Sequence, residues 1–188
     1  MKKIEAIYKR SSVRQFQDIP ISDEQLYSII EAGTLAPSSG NMQPWEFIVI
    51  KEPSYKEKVV SCTFSGFYAG TSNYQQWIKS APVILIICAN TKRTAARYGN
   101  LGYKWVPLDV ANAVQNMILT MTQNGISCCW VGGIDENKIS ESFCLPEYVQ
   151  PIGLLPLGYA TEAGQMKYKM PPEFVTHSHR YNEPYFTS

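Results

Sequence analysis

The chain has 188 residues, 45% of them hydrophobic and 12% aromatic, a size at which folding buries roughly 70% of the surface the unfolded chain exposes. Seventeen basic against sixteen acidic residues leave a formal charge of +1, which excludes a general electrostatic pull toward nucleic acid or anionic lipid and makes any charge-based recognition local. The longest continuous apolar stretch, Pro82 to Ala89, is too short to span a bilayer, and Met1 to Arg10 has no signal-peptide core.

The five cysteines, Cys62, Cys88, Cys128, Cys129 and Cys144, are an odd set without C-x-x-C spacing. They read as thiols in a reducing, cytoplasmic setting. A single domain over 1–188 is expected, with 161–188 as a polar C-terminal extension.

In chain order, Lys2 to Arg10 places Ile4, Ile7 and Tyr8 on one face of a short helix, ahead of the polar loop Ser11-Ser12-Val13-Arg14. Ser22 and Gln25 have the spacing of a capping box, Leu26, Ile29 and Ile30 share a face, and Gly33 marks the expected end of that helix. Ala36 to Pro44 concentrates Pro, Ser, Gly and Asn, and this loop feeds Glu46 to Ile50, expected as an inner strand. Tyr55 to Ser80 has weak periodicity, with a small-residue and aromatic stretch from Phe64 to Tyr74. Val83 to Cys88 reads as a buried strand.

From Pro107 to Asn124, Val110, Val114, Met117, Ile118 and Met121 keep the helical period. Pro107 suits a first turn and Gly125 the position after the end, so this is the expected long core helix. Ser127 to Val131 reads as a short strand entering Gly132-Gly133, Glu136 to Phe143 as a helix, and Ile152 to Tyr159 as a strand interrupted by Pro156. Helices alternating with at least four strands predict a mixed sheet covered by helices.

Three segments could carry chemistry. Arg10-Ser11-Ser12-Val13-Arg14 puts two guanidiniums and two hydroxyls within five residues, donors that match a phosphate, although by itself a solvated cluster is the better reading. Ala36 to Trp45 holds hydroxyl and amide side chains between two prolines, either as a pocket wall or as a structural turn. Gly125 to Gly133 ends a strand in paired glycines, which permit close approach of a ligand to the backbone or simply a bulge. His177 and His179 lack further metal-ligand partners in the sequence. Cys128 and Cys129, as strand neighbours, should face opposite sides. Neither a G-x-G-x-x-G after a strand nor a P-loop motif is present.

Taken together and in order, R-x-S-x-R, A-P-S-S-G-N-x-Q-P-W and G-x-x-x-C-W-x-G-G resemble the nitroreductase family, a likeness running from Tyr8 to Tyr159 and including Leu157-Gly158-Tyr159. The resemblance implies an α+β fold with a central mixed or antiparallel sheet flanked by helices, and an interlocked homodimer binding FMN at the subunit interface. NADH or NADPH would be the transient electron donor. It assigns Arg10, Ser11 and Ser12 to the FMN phosphate and ribityl chain. Arg14 would lie at the flavin edge that gathers negative charge on reduction, as the main electrostatic catalyst.

By the same resemblance, Pro37, Ser38, Ser39, Asn41 and Gln43 would reach the flavin from the partner subunit. Trp130, Val131, Gly132 and Gly133 would line the ring, with the Gly132 amide near the hydride-accepting atom. Arg180, ahead of Lys167 and Lys169, would add a basic contact to the phosphate. Tyr74 to Lys79 departs from the family pattern, leaving the pyrimidine edge unassigned. Aromatic residues from Phe64 to Tyr74, with Tyr98, Tyr103 and Trp105, would form a lid or ordinary packing. The implied activity is hydride transfer to nitroaromatic, quinone or flavin acceptors, against a dedicated reductase of one metabolite, such as a dehalogenase-like one, or a non-catalytic FMN carrier or sensor.

Overall fold

A computed structural model describes residues 2–65 and 73–186. The first turns follow local signals. α1 spans Glu5–Lys9, and α2, Asp23–Thr34, begins at a complete capping box in which Ser22 Oγ accepts the Gln25 N–H and Gln25 Oε1 accepts the Ser22 N–H. Gly33 lies inside α2 rather than ending it, because it packs against the long helix Asn100–Gln123: a Cβ there would come within 2.9 Å of the Met117 side chain.

β1 (Trp45–Ile50), α3 (Pro53–Ser61), β2 (Val83–Asn90), α4 (Thr91–Tyr98), α5 (Asn100–Gln123), β3 (Ser127–Cys128), α6 (Glu136–Ser142) and β4 (Val149–Gly158) follow. The four strands form one sheet in the order β1-β2-β4-β3. All three ladders are antiparallel, which narrows the expected mixed sheet. β1 is an edge strand and not an inner one.

α5 starts well before Pro107. Its first turns pack on α4 through Gly102, where a Cβ would meet the Thr94 backbone at 2.9 Å. Pro107 is exposed, so water can serve the carbonyl whose helical N–H partner the proline removes. Pro156 likewise does not interrupt β4. The donor it lacks falls where the short β3 ladder ends, and its carbonyl accepts the Cys129 N–H at 3.2 Å.

The sheet is buried on both faces. One face carries Leu85, Ile87, Leu155 and Leu157 against α2 and α5, with Cys128 in that layer. The other carries Ile84, Ile86 and Leu154 against Val59, Ile78 and Ile139, with Cys129 in that layer. The vicinal cysteines therefore lie on opposite sides, as strand alternation requires. The expected apolar face of α1 is not buried within the chain: Ile4, Ile7 and Tyr8 are exposed, and Ala6 is the residue that faces inward. Among the described residues no helix is long and apolar enough to cross a membrane.

Candidate functional site

The Arg10–Arg14 segment is a tether along the outer side of β3. Ser12 bridges Cys128 in parallel register, and the Val13 N–H donates to the Cys128 carbonyl at 3.0 Å. Val13 is buried while Ser12 and Arg14 on either side are exposed, the alternation of an extended chain. Arg10, Ser11, Ser12 and Arg14 line a cleft of about 110 Å³ together with Gln165, Met166, Lys167 and Lys169. The Arg14 guanidinium stands 5.9 Å from the centre of the Trp77 ring, a cation–π distance. Burial pushes the Cys129 thiol up, while Arg14, a hydrogen bond with Ser12 and Arg10 pull it back down.

The Trp130–Gly133 segment leaves the same strand. Val131 is buried and exchanges backbone hydrogen bonds with Leu154, both at 2.9 Å. Trp130 covers Gly153, where a Cβ would meet the indole at 3.6 Å. The two following glycines differ. A Cβ on Gly133 would come within 2.5 Å of the Phe64 carbonyl and 2.9 Å of Gln75 Nε2, whereas one on Gly132 would meet nothing within 4 Å. Gln75 is spent internally, donating to the Phe64 and Gly133 carbonyls at 2.9 and 3.2 Å. Arg10 and Trp130 also share a larger hollow of about 280 Å³ with Ala111, Val114, Gln115 and Ile118 of α5.

The Pro37–Gln43 loop is held elsewhere in the subunit, against α4 and α5. Ser38 Oγ accepts the Gln43 N–H at 2.9 Å. Ser39 donates both its N–H and its hydroxyl to Asp109 Oδ1, each at 3.0 Å. Arg97 donates to the Gly40 carbonyl at 3.1 Å and Arg93 to the Gln43 carbonyl at 2.7 Å. Gly40, Asn41 and Gln43 all have left-handed backbone, at φ 54, 59 and 50. Pro37, Asn41 and Gln43 are exposed.

One chain thus brings the first and third sequence motifs together at β3 and anchors the second separately. Arg180 is exposed in the tail, with its N–H on the Ser178 carbonyl at 2.5 Å. The basic residues at the cleft are instead Lys167 and Lys169, because the chain leaving β4 passes Ser11 before reaching the tail. The expected lid falls partly on 66–72, outside the described residues; Tyr98 packs edge-on against Trp105 with ring centres 5.0 Å apart.

Asp109, Arg93 and Arg97 escaped the motif reading. For Asp109 a signal existed: a carboxylate lies between Val106 and Val110 on the apolar stripe of a long helix.

The α+β scaffold sets a basic cleft along its edge strand β3, with guanidinium, ammonium and hydroxyl groups of the kind that suit an anion. The model of the nitroreductase family matches residues 7–159. The chain belongs to the nitroreductase family. It is 30% identical over 83% of its length, and 84% of the relative's, to an Archaeoglobus fulgidus protein provisionally named NADH dehydrogenase/NAD(P)H nitroreductase. An FMN reductase [NAD(P)H] of Bacillus subtilis is 27% identical, with 98% of this chain and 77% of that one aligned. The crystal structure of NADPH:FMN oxidoreductase from Vibrio harveyi complexed with NAD+ superposes with a TM-score of 0.82 at 25% identity, covering 96% of this chain and 78% of the other.

Proposed function

We propose that the protein is an NAD(P)H-dependent FMN oxidoreductase acting as a homodimer, with nitroaromatics, quinones or flavins as acceptors. The observation that carries this reading is the convergence of Arg10, Ser12, Arg14, Lys167 and Lys169 on one cleft along β3, the strand that also leads into Trp130 to Gly133. The donor set suits FMN. A phosphate dianion matches guanidinium and hydroxyl donors, and the open side of Gly132 leaves a backbone amide approachable by a flat ring.

Bound FMN would supply the two-electron centre, accepting hydride from NADH or NADPH and passing it to the acceptor. In this scheme Arg10, Ser11 and Ser12 bind the phosphate, with Lys167 and Lys169 adding charge in the place assigned to Arg180 by sequence. Arg14, oriented over Trp77, holds a positive charge where reduction deposits a negative one. Trp130, Val131 and Gly133 form the wall beside Gly132. Pro37, Ser38, Asn41 and Gln43 reach the ring of the other subunit, with Ser39 anchoring their loop.

The dimer is favoured by large exposed apolar side chains: Ile4 just before α1 and Ile7 on it, Leu101 and Leu108 on α5, and Tyr168, Phe174 and Tyr181 in the tail, with exposures from 50% to 82%. Burial of such surface drives association between copies. Five unpaired cysteines fit a reducing, cytoplasmic setting.

A visible absorption spectrum followed by anaerobic titration with NADH and NADPH tests the assignment. Yellow protein bleached by either donor is expected. Colourless protein that takes up no added FMN would refute it, and yellow protein that neither donor bleaches would favour an FMN carrier or sensor.

A further inference from the structure

We propose that Asp109 is a positioning residue for the flavin site, fixing the 38–43 loop in the shape that offers Asn41 and Gln43 to the flavin of the partner subunit. The inference rests on the FMN dimer proposed above. Asp109 lies on α5 with 5% of its surface exposed, among Val106, Val110 and Ala113. One carboxylate oxygen takes two donors from Ser39. The other, Oδ2, is buried and finds no hydrogen-bond partner among the described residues. A half-served carboxylate inside an apolar stripe is a poor way to stabilise a helix, so its value lies in what it holds.

What it holds is a loop that does not keep its shape unaided. Gly40, Asn41 and Gln43 occupy the left-handed region, two of them without the freedom of glycine, and such conformations persist where surrounding contacts over-determine them. Arg93 and Arg97 grip loop carbonyls, whereas Asp109 takes donors, so the loop is pinned through both halves of its backbone polarity. Gly40 itself lies against the Tyr98 hydroxyl and the Arg97 guanidinium, both of which would have to move to admit a side chain. With the backbone bonds spent inward, Asn41 and Gln43 remain exposed, their amides joined by a long hydrogen bond in which Gln43 Nε2 donates to Asn41 Oδ1 at 3.4 Å.

The test compares Asp109→Ala, Asp109→Asn and Ser39→Ala in the full chain, reading FMN affinity by flavin fluorescence quenching and the visible circular dichroism of bound flavin. Asp109→Ala is expected to raise the FMN dissociation constant about tenfold and to change the dichroism, as loss of hydrogen bonds to a charged acceptor would. Asp109→Asn, which keeps an acceptor oxygen for Ser39, should return affinity to within about threefold of the parent. If Asp109→Ala proves unfolded, Ser39→Ala, which keeps the backbone donor to the carboxylate, supplies the reading, with a rise of about threefold in a protein that still folds. An Asp109→Ala protein, or failing that a Ser39→Ala protein, with parental affinity and dichroism would overturn the role of Asp109 alone. A parent that binds no FMN would remove the flavin reading beneath it as well.

Discussion

The two adjacent glycines at the end of the β3 segment should separate stability from cofactor binding when each is replaced by alanine. Neither has the positive backbone φ that penalises a side chain, so the difference lies in what the new methyl meets. At Gly133 it would come within 2.5 Å of the Phe64 carbonyl, a backbone atom itself bonded to the Gln75 side chain and hence unable to yield cheaply. Overpacking of this kind costs about 1–3 kcal/mol. For a chain of this length each kcal/mol lowers the melting temperature by roughly 2–4 °C, so Gly133→Ala should melt roughly 2–12 °C below the parent. At Gly132 the methyl enters open space, and the more restricted unfolded chain makes Gly132→Ala neutral or slightly stabilising. That methyl would occupy the approach to the backbone amide, raising the FMN dissociation constant by about tenfold or more. Thermal unfolding of the FMN-stripped proteins by circular dichroism, with FMN titration at 25 °C, measures both quantities. Equal melting temperatures for Gly133→Ala and the parent, or a Gly132→Ala protein that binds FMN as tightly as the parent, would refute the geometry.

Replacing Arg14 by alanine should leave FMN bound, since Arg10 and the two lysines remain at the cleft, but lower the flavin reduction potential and slow hydride uptake; an unchanged potential in a redox titration would count against the assigned charge. Ser22→Ala removes the hydroxyl that accepts the Gln25 N–H and should cost about 1 kcal/mol, seen as a fall of roughly 2–4 °C in melting temperature. Burial pushes Cys88 up to about 12, with Glu46 adding to the effect, and burial with Cys129 nearby does the same to Cys128. Above the ordinary thiol value of 9.0 the unfolded chain has released protons that the folded chain retains. Their contribution to stability is therefore complete below that value and is lost as pH rises toward about 12. Alkylation of the native protein at about pH 8 should mark the exposed Cys144 and spare the four buried thiols; rapid labelling of Cys88 or Cys128 would contradict their burial.

What the sequence made legible was local. The capping box at Ser22 is written in the residues that make it, and the buried strand from Val83 and the apolar stripe of α5 are periodic signals that need no partner to be read. The errors arose where tertiary contacts override a local rule. Gly33 serves helix packing instead of termination, and Pro107 sits within a helix whose start is set by the α4–α5 contact at Gly102. The motifs at Arg10 to Arg14 and Trp130 to Gly133 were legible as candidates, but their meeting at β3 depends on a backbone bridge between residues far apart in sequence. Asp109 was hidden because its donors come from a loop that its own helix segment cannot specify.

The placement of the basic cleft follows from how β3 ends. β3 is two residues long, so its outer side would present unpaired backbone, and the N-terminal segment covers that side through Ser12 and Val13. The same segment continues along the exit of β4, where Phe16 bridges Ala160 and the Gln17 N–H donates to the Tyr159 carbonyl at 2.8 Å. Chain leaving β4 is thereby directed back along the arginines, and Gly164 lets it pass directly against Ser11, where any side chain would collide with the serine hydroxyl. That turn carries Lys167 and Lys169 to the cleft. Two arginines from the start of the chain and two lysines from its end therefore share one site because both segments are stitched to the same sheet edge, and a substitution at Gly164 would displace the lysines while leaving Arg10 and Arg14 anchored by Val13.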